Sequence, residues 1–323
     1  MKKRTRNLLE EKAEPGKDLF DVAIIGAGYA GLSSALLFGR YLVKTIIFDW
    51  GRTRNYMTKH IHGYLGFENA SPAILLKKSH EHIAMYKSVS IVKDRVTRVR
   101  KHAEYFTIYT RIGHHRAKYL IIATGVQDIK PTIKNFEKFD GNGAWHCPYC
   151  DGQEASGKRL AIIVSGKEPL SYVKEFLGWT RDITVFPYKS RFGEREKEEA
   201  EALGIKITYD CIRQITGKTG RLQKQLICKS GRCYTADVIF YRLGYHIQNK
   251  LAEQLGCHLD EGYVKVNEMQ ETTIPNVYAT GDLDIDRHYI VLAVAAGARA
   301  AISIYEKLLK EAIRSEIKRH ESF

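Results

Sequence analysis

The chain carries two cysteines in a C-x-x-C spacing, Cys147 and Cys150, within the stretch HCPYCDG. A pair at this spacing either cycles between dithiol and disulfide or supplies half of a zinc site. Redox exchange requires a thiolate on an accessible sulfur and a positioned acid–base group that moves the proton. His146, which precedes the first cysteine, is one candidate for that group.

The alternatives to a redox pair depend on the rest of the chain. A zinc site would need a second ligand pair, and the only candidates are Cys228 and Cys233, spaced C-x4-C across a predicted hairpin. We expect these two to be free thiols that face each other across strands, and we expect no metal. Glutaredoxins also use the letters CPYC, but there the motif opens a helix, whereas DGQEASGK here shows no helical period. We therefore predict a loop-rich segment at residues 127–157.

A glycine-rich turn near the N-terminus predicts a dinucleotide site. A buried-type strand, Phe20–Ile25, leads into GAGYAG and a helix, and the next strand ends at Asp49, whose side chain would accept hydrogen bonds from a ribose. Within the turn, Gly26 permits the bend, Gly28 lets a pyrophosphate approach the backbone, and Gly31 lets the helix pack on the strand. The predicted cofactor-binding turn consists of Gly26, Ala27, Gly28, Tyr29, Ala30 and Gly31.

The remaining pattern repeats this plan. An antiparallel sheet with a turn at Gly113 leads to a buried strand and the letters ATG, and a second β-α-β pattern begins at Arg159. The predicted fold class is α/β, with two Rossmann-like dinucleotide-binding domains of the three-layer ββα type, the second inserted into the first. The expected divisions are an N-terminal extension at 1–17, a discontinuous domain at 18–127 and 246–323, and an inserted domain at 128–245.

Composition limits the partners. The 323-residue chain has a formal net charge of +14, with Lys and Arg spread along its length. This balance suits an acidic protein partner or weak attraction to polyanions, and no nucleic-acid-binding motif accompanies it. The sequence has no run of 18 apolar residues, and its polar N-terminal stretch lacks the features of a signal peptide. We therefore expect a cytoplasmic protein that binds neither membrane nor nucleic acid.

Four motifs occur in the order found in low-molecular-weight thioredoxin reductases, namely GAGYAG, IIATG, CPYCDG and IPNVYATGD. This resemblance covers nearly the whole chain from Asp18 to the C-terminal helix. The variant HCPYC, with RN and HIHG after the second strand, is most similar to a thioredoxin-reductase-like branch that includes dithiol oxidases of the gliotoxin and holomycin type. The resemblance implies a homodimeric FAD enzyme that acts on a thioredoxin-like protein or a small dithiol or disulfide.

By this resemblance the first, discontinuous domain holds FAD. The positions that it places around the cofactor, besides the glycine turn and Asp49, are Arg54, Asn55, His62, Val96, Ala123, Thr124, Gly125, Gly281, Asp282, Tyr289 and Ile290. The first three belong to the loop that approaches the flavin, and Val96 lies on the adenine side. Asp282 would accept a ribityl hydroxyl. Tyr289 and Ile290 would begin a helix whose amides point at the flavin and stabilise its anionic reduced form.

The resemblance also assigns the thiol chemistry. Cys150 would face the flavin, and Cys147 would exchange with the substrate. Asp151 stands where the family carries an acid that moves a proton to or from the leaving thiolate, with His146 as a second candidate. A non-catalytic FAD redox sensor is the alternative from another functional class.

The second nucleotide motif departs from the family pattern. Val164 and Ser165 stand at the first two glycine positions, and only Gly166 remains, so that Val164 would crowd the turn. The next strand ends in FPYKS, where the family carries a cationic cluster for the 2′-phosphate of NADPH, and one lysine replaces bidentate arginines poorly. We therefore predict that NADPH is not the electron donor. An NADPH-dependent reductase with an atypical site is the alternative.

Three routes then remain for the electrons. An acidic ferredoxin or flavodoxin could deliver them. A second flavin could occupy the vestigial nucleotide site of the inserted domain. Electrons could instead pass from a dithiol through FAD to dioxygen. The sequence leaves the donor, the acceptor and the direction of electron flow open.

Overall fold

The computed structural model describes residues 18–166 and 168–321, so the predicted extension at residues 1–17 lies outside the described residues. The chain divides into two compact units. The first comprises the residues up to Arg54, Ile74–Gln127 and the residues from Ile247 onward, and the second comprises Asn55–Ala73 and Asp128–His246. The segment Asn55–Ala73, which the sequence pattern assigns to the first domain, groups with the second unit.

The first half of the chain contains β1 (Leu19–Ile25), α1 (Tyr29–Arg40), β2 (Thr45–Phe48), α2 (Pro72–Ala84), β3 (Val89–Val92), β4 (Arg98–Lys101), β5 (Phe106–Tyr109), β6 (His114–Ile122), β7 (Val126–Asp128), α3 (Phe136–Phe139), β8 (Ala144–Trp145), α4 (Pro148–Asp151) and β9 (Leu160–Val164). The second half contains α5 (Pro169–Lys174), β10 (Ile183–Pro187), α6 (Glu194–Ala202), β11 (Lys206–Ile207), β12 (Ile212–Thr216), β13 (Lys224–Cys228), β14 (Cys233–Ala236), β15 (Val238–Arg242), β16 (Tyr245–Ile247), α7 (Lys250–Gln254), β17 (Leu259–Asp260), β18 (Tyr263–Val264), β19 (Val277–Ala279) and α8 (Ile290–Glu321). Within residues 18–166 and 168–321, every helix is too short or too polar to cross a membrane.

The sheet of the first unit has the order β3-β2-β1-β6-β5-β4, with β19 paired to the end of β6. Strands β1, β2, β3, β6 and β19 are parallel, whereas β5 pairs antiparallel with both β4 and β6. The letters LFDVAII form β1 because a parallel strand that is covered on both faces is apolar along most of its length. Parallel neighbours end at the same edge of a sheet, so the predicted glycine turn, Asp49 and Ala123 lie along one edge.

Neighbouring residues of β1 point to opposite faces of this sheet. Ile24 packs with Phe38 of α1 and Ile304 of α8 in one hydrophobic core. Ile25 packs with Phe106 of the antiparallel strands in a second core. The first unit therefore has helices on one side of its parallel sheet and antiparallel strands on the other.

The second unit repeats this plan with a parallel sheet in the order β11-β10-β9-β15-β8 and a separate antiparallel sheet, β12-β13-β14. Every residue of β9 is buried. Ile162 packs with Phe176 on the helical side, and Ile163 packs with Leu226 of the antiparallel sheet. The prediction of two Rossmann-like folds is confirmed.

The segment around the C-x-x-C is more regular than predicted. It contains β7, α3, β8, α4 and a 3-10 turn at Gly152–Ala155, joined by loops, so the C-x-x-C does open a short helix and the expectation of no helix there was wrong. Cys147 caps α4, and Pro148 occupies the first helical position, where its missing N–H costs no hydrogen bond. A helix of four residues is too short to produce an apolar period in the sequence.

Helices α1 and α8 of the first unit approach each other closely. A Cβ built on Gly297 would lie 2.1 Å from the carbonyl oxygen of Ala30. The Ser34 hydroxyl donates a hydrogen bond of 2.7 Å to the carbonyl oxygen of Gly297. Since the clashing atom belongs to the backbone, the contact allows only glycine at this position.

We predict that Gly297→Ala destabilises the protein by about 1–3 kcal/mol, because one methyl group must push the two helix backbones apart. Chemical denaturation followed by circular dichroism measures the free energy of unfolding. Gly178→Ala is the matched control, since a Cβ there meets no described heavy atom within 4 Å. Equal stability of the two variants would contradict the close helix contact.

Candidate active site and nucleotide sites

The glycine turn after β1 is built from positions that exclude side chains. Gly26 has φ +112°, and a Cβ on it would lie 2.3 Å from the carbonyl oxygen of Ala123. A Cβ on Gly31 would lie 2.0 Å from the carbonyl oxygen of Gly26. These two contacts press the start of α1 onto the ends of β1 and β6, as the fingerprint predicts. Ala27 and Ala30 are buried beneath the same turn.

Gly28 serves a different purpose from its neighbours. It has an ordinary extended conformation and caps α1, and among the described residues a Cβ on it meets no heavy atom within 4 Å. No described side chain caps this helix, and its first turn, which begins at Tyr29, contains no acidic residue. The space beside Gly28 is therefore open, and the amides and positive dipole end of a 12-residue helix suit a pyrophosphate there.

The predicted ribose ligand lies at the same sheet edge, directly after β2. One carboxylate oxygen of Asp49 accepts a hydrogen bond of 2.7 Å from the backbone N–H of Gly51, and the other lies 3.9 Å from Nε2 of His80. Val96, predicted on the adenine side, is buried in the hydrophobic core of the first unit.

The residues predicted to surround the flavin gather beside the turn from two other strands. A Cβ on Gly281 would lie 2.9 Å from Cβ of Ala30, and one on Gly125 would lie 4.0 Å from Cβ of Asp282. The Arg54 guanidinium binds the Asp282 carboxylate at 3.1 Å.

Backbone and side-chain bonds fix the remaining predicted positions. The Ala123 N–H donates to the carbonyl oxygen of Ile25 at 2.9 Å, and the Thr124 hydroxyl donates to that of Gln248 at 2.6 Å. Tyr289 immediately precedes α8, which begins at Ile290. The first unit contains all the predicted FAD positions except Asn55 and His62, which belong to the second unit. The open space, the helix amides and the ribose acceptor fit FAD.

Cys147 and Cys150 form a disulfide in the second unit, and both side chains are half-buried. Cys147 is the cap residue of α4, and its sulfur accepts a hydrogen bond of 3.1 Å from the backbone N–H of Cys150. In the reduced pair the same N–H would stabilise a thiolate on Cys147. A Cβ on Gly152 would lie 2.8 Å from the Trp179 ring, so the segment after the cysteines packs closely on that indole.

Asp151 follows Cys150 and is buried. Burial raises the pKa of Asp151 to about 7, the charge of His62 opposes this rise, and that of Glu154 adds to it. A carboxyl group with such a pKa takes up and releases protons near neutral pH, as a general acid–base catalyst requires.

His62 is held by a carboxylate from its own loop. Its Nδ1 lies 2.7 Å from Glu68 Oε1, and the Gly63 N–H donates to Glu68 Oε2 at 2.8 Å. The hydrogen bond with His62 lowers the pKa of Glu68 most, and the bond from Gly63 lowers it further. Since the charge of His62 acts on Asp151, this loop contributes to the electrostatics of the disulfide site.

His146 lies on the other side of the cysteines in the chain. Its Nε2 is 3.7 Å from a carboxylate oxygen of Asp128, and its carbonyl oxygen accepts a hydrogen bond of 2.9 Å from the Tyr172 hydroxyl. The Tyr241 ring lies 5.9 Å from the imidazole ring of His146. Tyr172, Tyr241 and the Asp128 carboxylate therefore orient this residue.

The other cysteines are free thiols. Cys233 pairs with Ile227 in the β13-β14 register, whereas Cys228 lies opposite Arg232. Because successive strand residues point to opposite faces, Cys228 and Cys233 do not face each other, and that expectation was wrong. Within the described part of the chain, His, Cys, Asp and Glu side chains form no group of three or more that could hold a metal.

The turn after β9 differs from the turn after β1. Val164 ends β9 and packs in the hydrophobic core, so the expected crowding of the turn by this side chain was wrong. Gly166 has φ +112°, the same value as Gly26. Helix α5 begins with Pro169 and has only six residues.

The chain's own carboxylate lies at the start of α5. Glu196 Oε1 accepts a hydrogen bond of 3.3 Å from the Leu170 N–H, and its Oε2 accepts one of 3.0 Å from the Gly193 N–H. In the first unit the corresponding helix start is open. A nucleotide phosphate at α5 would therefore have to displace a negative charge that already uses the amide.

The comparisons with known proteins agree with this fold. Residues 20–300 match the family described as pyridine nucleotide-disulphide oxidoreductase, and the chain belongs to that family. It is 25% identical to a thioredoxin reductase of Bacillus subtilis (strain 168), over 92% of this chain and 98% of that protein. It is 28% identical to a 34.2 kDa protein in the rubredoxin operon of Clostridium pasteurianum, over 87% and 95%. A solved oxidoreductase from Agrobacterium tumefaciens superposes with a TM-score of 0.81 at 28% identity, over 90% and 99%.

The chain is thus a thioredoxin reductase-like enzyme, and its family implies FAD as the cofactor. Sequence reasoning missed Glu68, Asp128 and Tyr172, which contact predicted residues of the second unit, and Glu196, which accepts a hydrogen bond at the start of α5. Of these residues, only Glu68 could have been found from the sequence, because it lies six residues after His62 in the same loop. The other three contacts join distant parts of the chain.

We predict that Gly28→Val prevents FAD binding without unfolding the protein. The valine meets no described atom of the first unit, but its methyl groups would occupy the open space beside the α1 amides. Flavin absorbance per chain measures cofactor content. Chemical denaturation of the flavin-free proteins measures the free energy of unfolding, which should differ between variant and wild type by at most about 0.5 kcal/mol. Gly31→Ala is the contrasting variant, because its clash with backbone should reduce stability itself. Full flavin content in Gly28→Val would refute the assignment of this space to the pyrophosphate.

Proposed function

We propose that this enzyme is an FAD-dependent dithiol–disulfide oxidoreductase that does not use NADPH. Its Cys147–Cys150 pair exchanges electrons with a thioredoxin-like protein or a small dithiol or disulfide. The observation that carries the redox role is the disulfide itself, half-buried beside a buried acid whose pKa is about 7. Bound FAD supplies two-electron storage, and by family resemblance Cys150 is the cysteine that exchanges electrons with it.

The proposed exchange at the cysteines balances as follows. A thiolate of the substrate attacks the Cys147 sulfur, the Cys147–Cys150 bond breaks, and Cys150 leaves as a thiolate. Asp151 supplies a proton to that leaving sulfur. The second substrate thiol then attacks the mixed disulfide and releases Cys147, so that two electrons have passed to the enzyme. The reverse sequence reduces a disulfide substrate.

His146 is the proposed second proton carrier. The Asp128 carboxylate lies 3.7 Å from its Nε2, and a partner at this position orients the imidazole. In this role His146 would take the proton from the attacking thiol, on the Cys147 side, while Asp151 serves the Cys150 side.

The exclusion of NADPH is supported by the start of α5. The glycines that let a pyrophosphate approach the backbone are missing, and Glu196 accepts a hydrogen bond from the Leu170 N–H. The strand that would carry the 2′-phosphate site ends instead in Pro187, followed by Tyr188 and Lys189. The same carboxylate opposes the pyrophosphate of a second flavin, so we propose one FAD per chain.

We propose that a protein electron carrier, in place of NADPH, exchanges electrons with the enzyme. The net charge of +14 favours an acidic carrier such as a ferredoxin or flavodoxin. The name of the Clostridium pasteurianum relative, which places it in a rubredoxin operon, also points toward an iron–sulfur carrier. By family resemblance we propose a homodimer. The four free cysteines suit a reducing compartment, so we propose the cytoplasm.

We predict that micromolar NADPH or NADH leaves the flavin oxidised under anaerobic conditions, because the Glu196 carboxylate already accepts a hydrogen bond from the Leu170 N–H at the start of α5. Stopped-flow absorbance of the flavin band measures the reduction. Dithionite added to the same sample should bleach the band and shows that the flavin is competent. Rapid bleaching by either nucleotide would overturn this part of the proposal.

We predict that Asp151→Asn slows reduction of the Cys147–Cys150 disulfide by dithiothreitol by about 10²-fold well below pH 7. Burial raises the Asp151 pKa, so the carboxyl is protonated and donates at low pH, and this advantage disappears as pH rises through about 7. Acid quench and alkylation of free thiols measure the rate without relying on the flavin. Taking the ratio of wild type to variant cancels the titration of dithiothreitol.

Two controls accompany that experiment. Glu154→Gln removes a charge that raises the Asp151 pKa, so the pH at which the advantage fades should move down. Cys147→Ser should keep its flavin and lose all exchange with dithiol substrates, whereas a non-catalytic flavin sensor would show no turnover to lose. A wild-type to Asp151→Asn ratio that does not vary with pH would rule out the proton-donor role.

A further inference from the structure

Two buried oxygen atoms of the first unit lack a hydrogen-bond donor among the described residues. They are Oε1 of Gln270 and Oδ1 of Asp284. The Gln270 side chain is buried and hydrogen-bonds the Asp284 carboxyl group, so the two groups lie in contact. The backbone fixes Gln270 there, because its carbonyl oxygen accepts a hydrogen bond of 3.1 Å from the Ala279 N–H at the end of β19. Buried acceptors are rarely left without a donor, so this pair requires an explanation.

A proton on Asp284 would supply the missing donor. An ionised carboxylate only accepts hydrogen bonds, so beside an amide group it forms a single one, with the amide N–H as donor. A neutral carboxylic acid also donates through its O–H, and it can therefore form two bonds with the same amide. Protonation of Asp284 Oδ1 would thus give a partner to both buried oxygen atoms, whereas the ionised form leaves both without one.

The surroundings of Asp284 favour the same neutral form. Burial raises the pKa of Asp284 to about 7, and the charge of Asp282 adds to this rise. Its own backbone N–H, the Gln270 side chain and the charge of Arg299 on α8 oppose the rise. The residue is half-buried, so its carboxyl group can exchange protons with solvent.

The acids near Asp284 are paired with cations. Asp282 binds Arg54 at 3.1 Å, and comparable pairs join Glu271 to Lys307 at 2.6 Å and Asp286 to Arg287 at 3.9 Å. The neighbouring elements also carry His288 and Tyr263, whose ring centroids are 6.2 Å apart. Among the described residues, Asp284 has no cation within 4 Å, so a proton is the positive charge that it can gain.

The loop at residues 280–289 places Asp284 between two predicted flavin contacts. Asp282, two residues earlier, is the predicted ribityl ligand, and α8, whose first amides are predicted to point at the flavin, begins six residues later at Ile290. The loop is tied down between them, because the carbonyl oxygen of Leu283 accepts a hydrogen bond of 2.9 Å from the Val264 N–H. A negative charge that appears on a flavin held by this loop would stabilise the protonated form of Asp284 further.

We propose that the Asp284 carboxylate takes up a proton when the flavin is reduced and releases it when the flavin is reoxidised. Asp284 is thus a positioning residue for charge, acting through the loop that holds the cofactor. The inference rests on the FAD of the proposed function. It depends neither on the absence of NADPH nor on thiol exchange at Cys147 and Cys150.

The proposed uptake balances the proposed oxidation of a dithiol. A dithiol that becomes a disulfide releases two electrons and two protons. The flavin takes both electrons and one proton, and it gains one negative charge. The second proton passes through solvent to the Asp284 carboxylate, which becomes a neutral acid, so the first unit keeps its net charge. Reduction of a disulfide substrate reverses each of these transfers.

Potentiometric titration of the flavin at a series of pH values tests the proposal. Cys147→Ser combined with Cys150→Ser gives a flavin-only parent, in which the flavin alone carries electrons. Just above pH 7 the midpoint potential of this parent should fall with pH about twofold more steeply than one proton per two electrons requires. Asp284→Asn in the parent should show the one-proton slope. Well below pH 7 the two slopes should agree, because Asp284 is then protonated in both oxidation states.

Asp286→Asn in the same parent is the matched control. It removes a carboxylate from the same loop, but this side chain is 66% exposed and lies beside Arg287, so the steep slope should remain. Equal slopes in the parent and in Asp284→Asn above pH 7 would overturn the inference and leave the proposed function intact. Loss of the steep slope in Asp286→Asn would also overturn it, since any charge of the loop would then have the same effect. A parent that binds no flavin would contradict the proposed function as well.

An infrared difference spectrum of the flavin-only parent, reduced minus oxidised, gives a second measurement that needs no change at residue 284. Above pH 7 the proposal predicts that reduction removes a carboxylate band and adds the band of a protonated carboxyl group. A spectrum without this exchange of bands would overturn the proposal. The exchange should also disappear in Asp284→Asn, and its persistence there would assign the proton to another group.

Discussion

We propose that the starts of α1 and α5, the helices that follow the buried parallel strands β1 and β9, determine which unit takes a nucleotide. In both units a glycine with φ +112° lies in the turn after a buried parallel strand. At α1 the amides face open space beside Gly28, and a 12-residue helix adds its dipole. At α5 the Leu170 amide already donates to Glu196. A phosphate competes poorly with a carboxylate that is attached to the same fold, because the carboxylate loses little entropy on binding.

In our proposal, this difference lets a fold with two Rossmann-like units support chemistry with one nucleotide. The second unit keeps the buried parallel sheet and carries the disulfide and its acid. Cys147 caps a short helix, and Asp151 is buried one residue after Cys150. Gly152 packs closely on the Trp179 ring, and this contact holds the segment after the cysteines in place. These contacts support the proposed role of this unit in thiol exchange.

Much of this could be predicted from the sequence where the cause is local. The run of apolar residues in β1, the positive φ of Gly26 and the close packing at Gly31 are requirements of neighbouring residues, so the first β-α-β unit was predictable. The C-x-x-C spacing alone left a redox pair and half of a zinc site open, and the other motifs favoured the redox pair. The disulfide joins those two cysteines. The single turn of α4 was missed because four residues show no period.

The contacts that adjust the chemistry were not predictable, since each joins residues that the chain separates. Glu196 reaches Leu170 from another helix, and Asp128 reaches His146 from another strand. The expectation that Val164 crowds the turn was wrong for the same reason. Its position relative to the turn depends on where β9 ends, and strand pairing with β10 and β15 extends β9 through that residue.

The central claim is that one unit takes a flavin nucleotide and the other takes none. A native mass spectrum of the purified protein in the presence of FAD and NADPH tests it most directly, because every bound nucleotide adds its own mass. The account predicts a single FAD on each chain and no other nucleotide. A chain that carries NADPH, a second FAD or no flavin at all would contradict it.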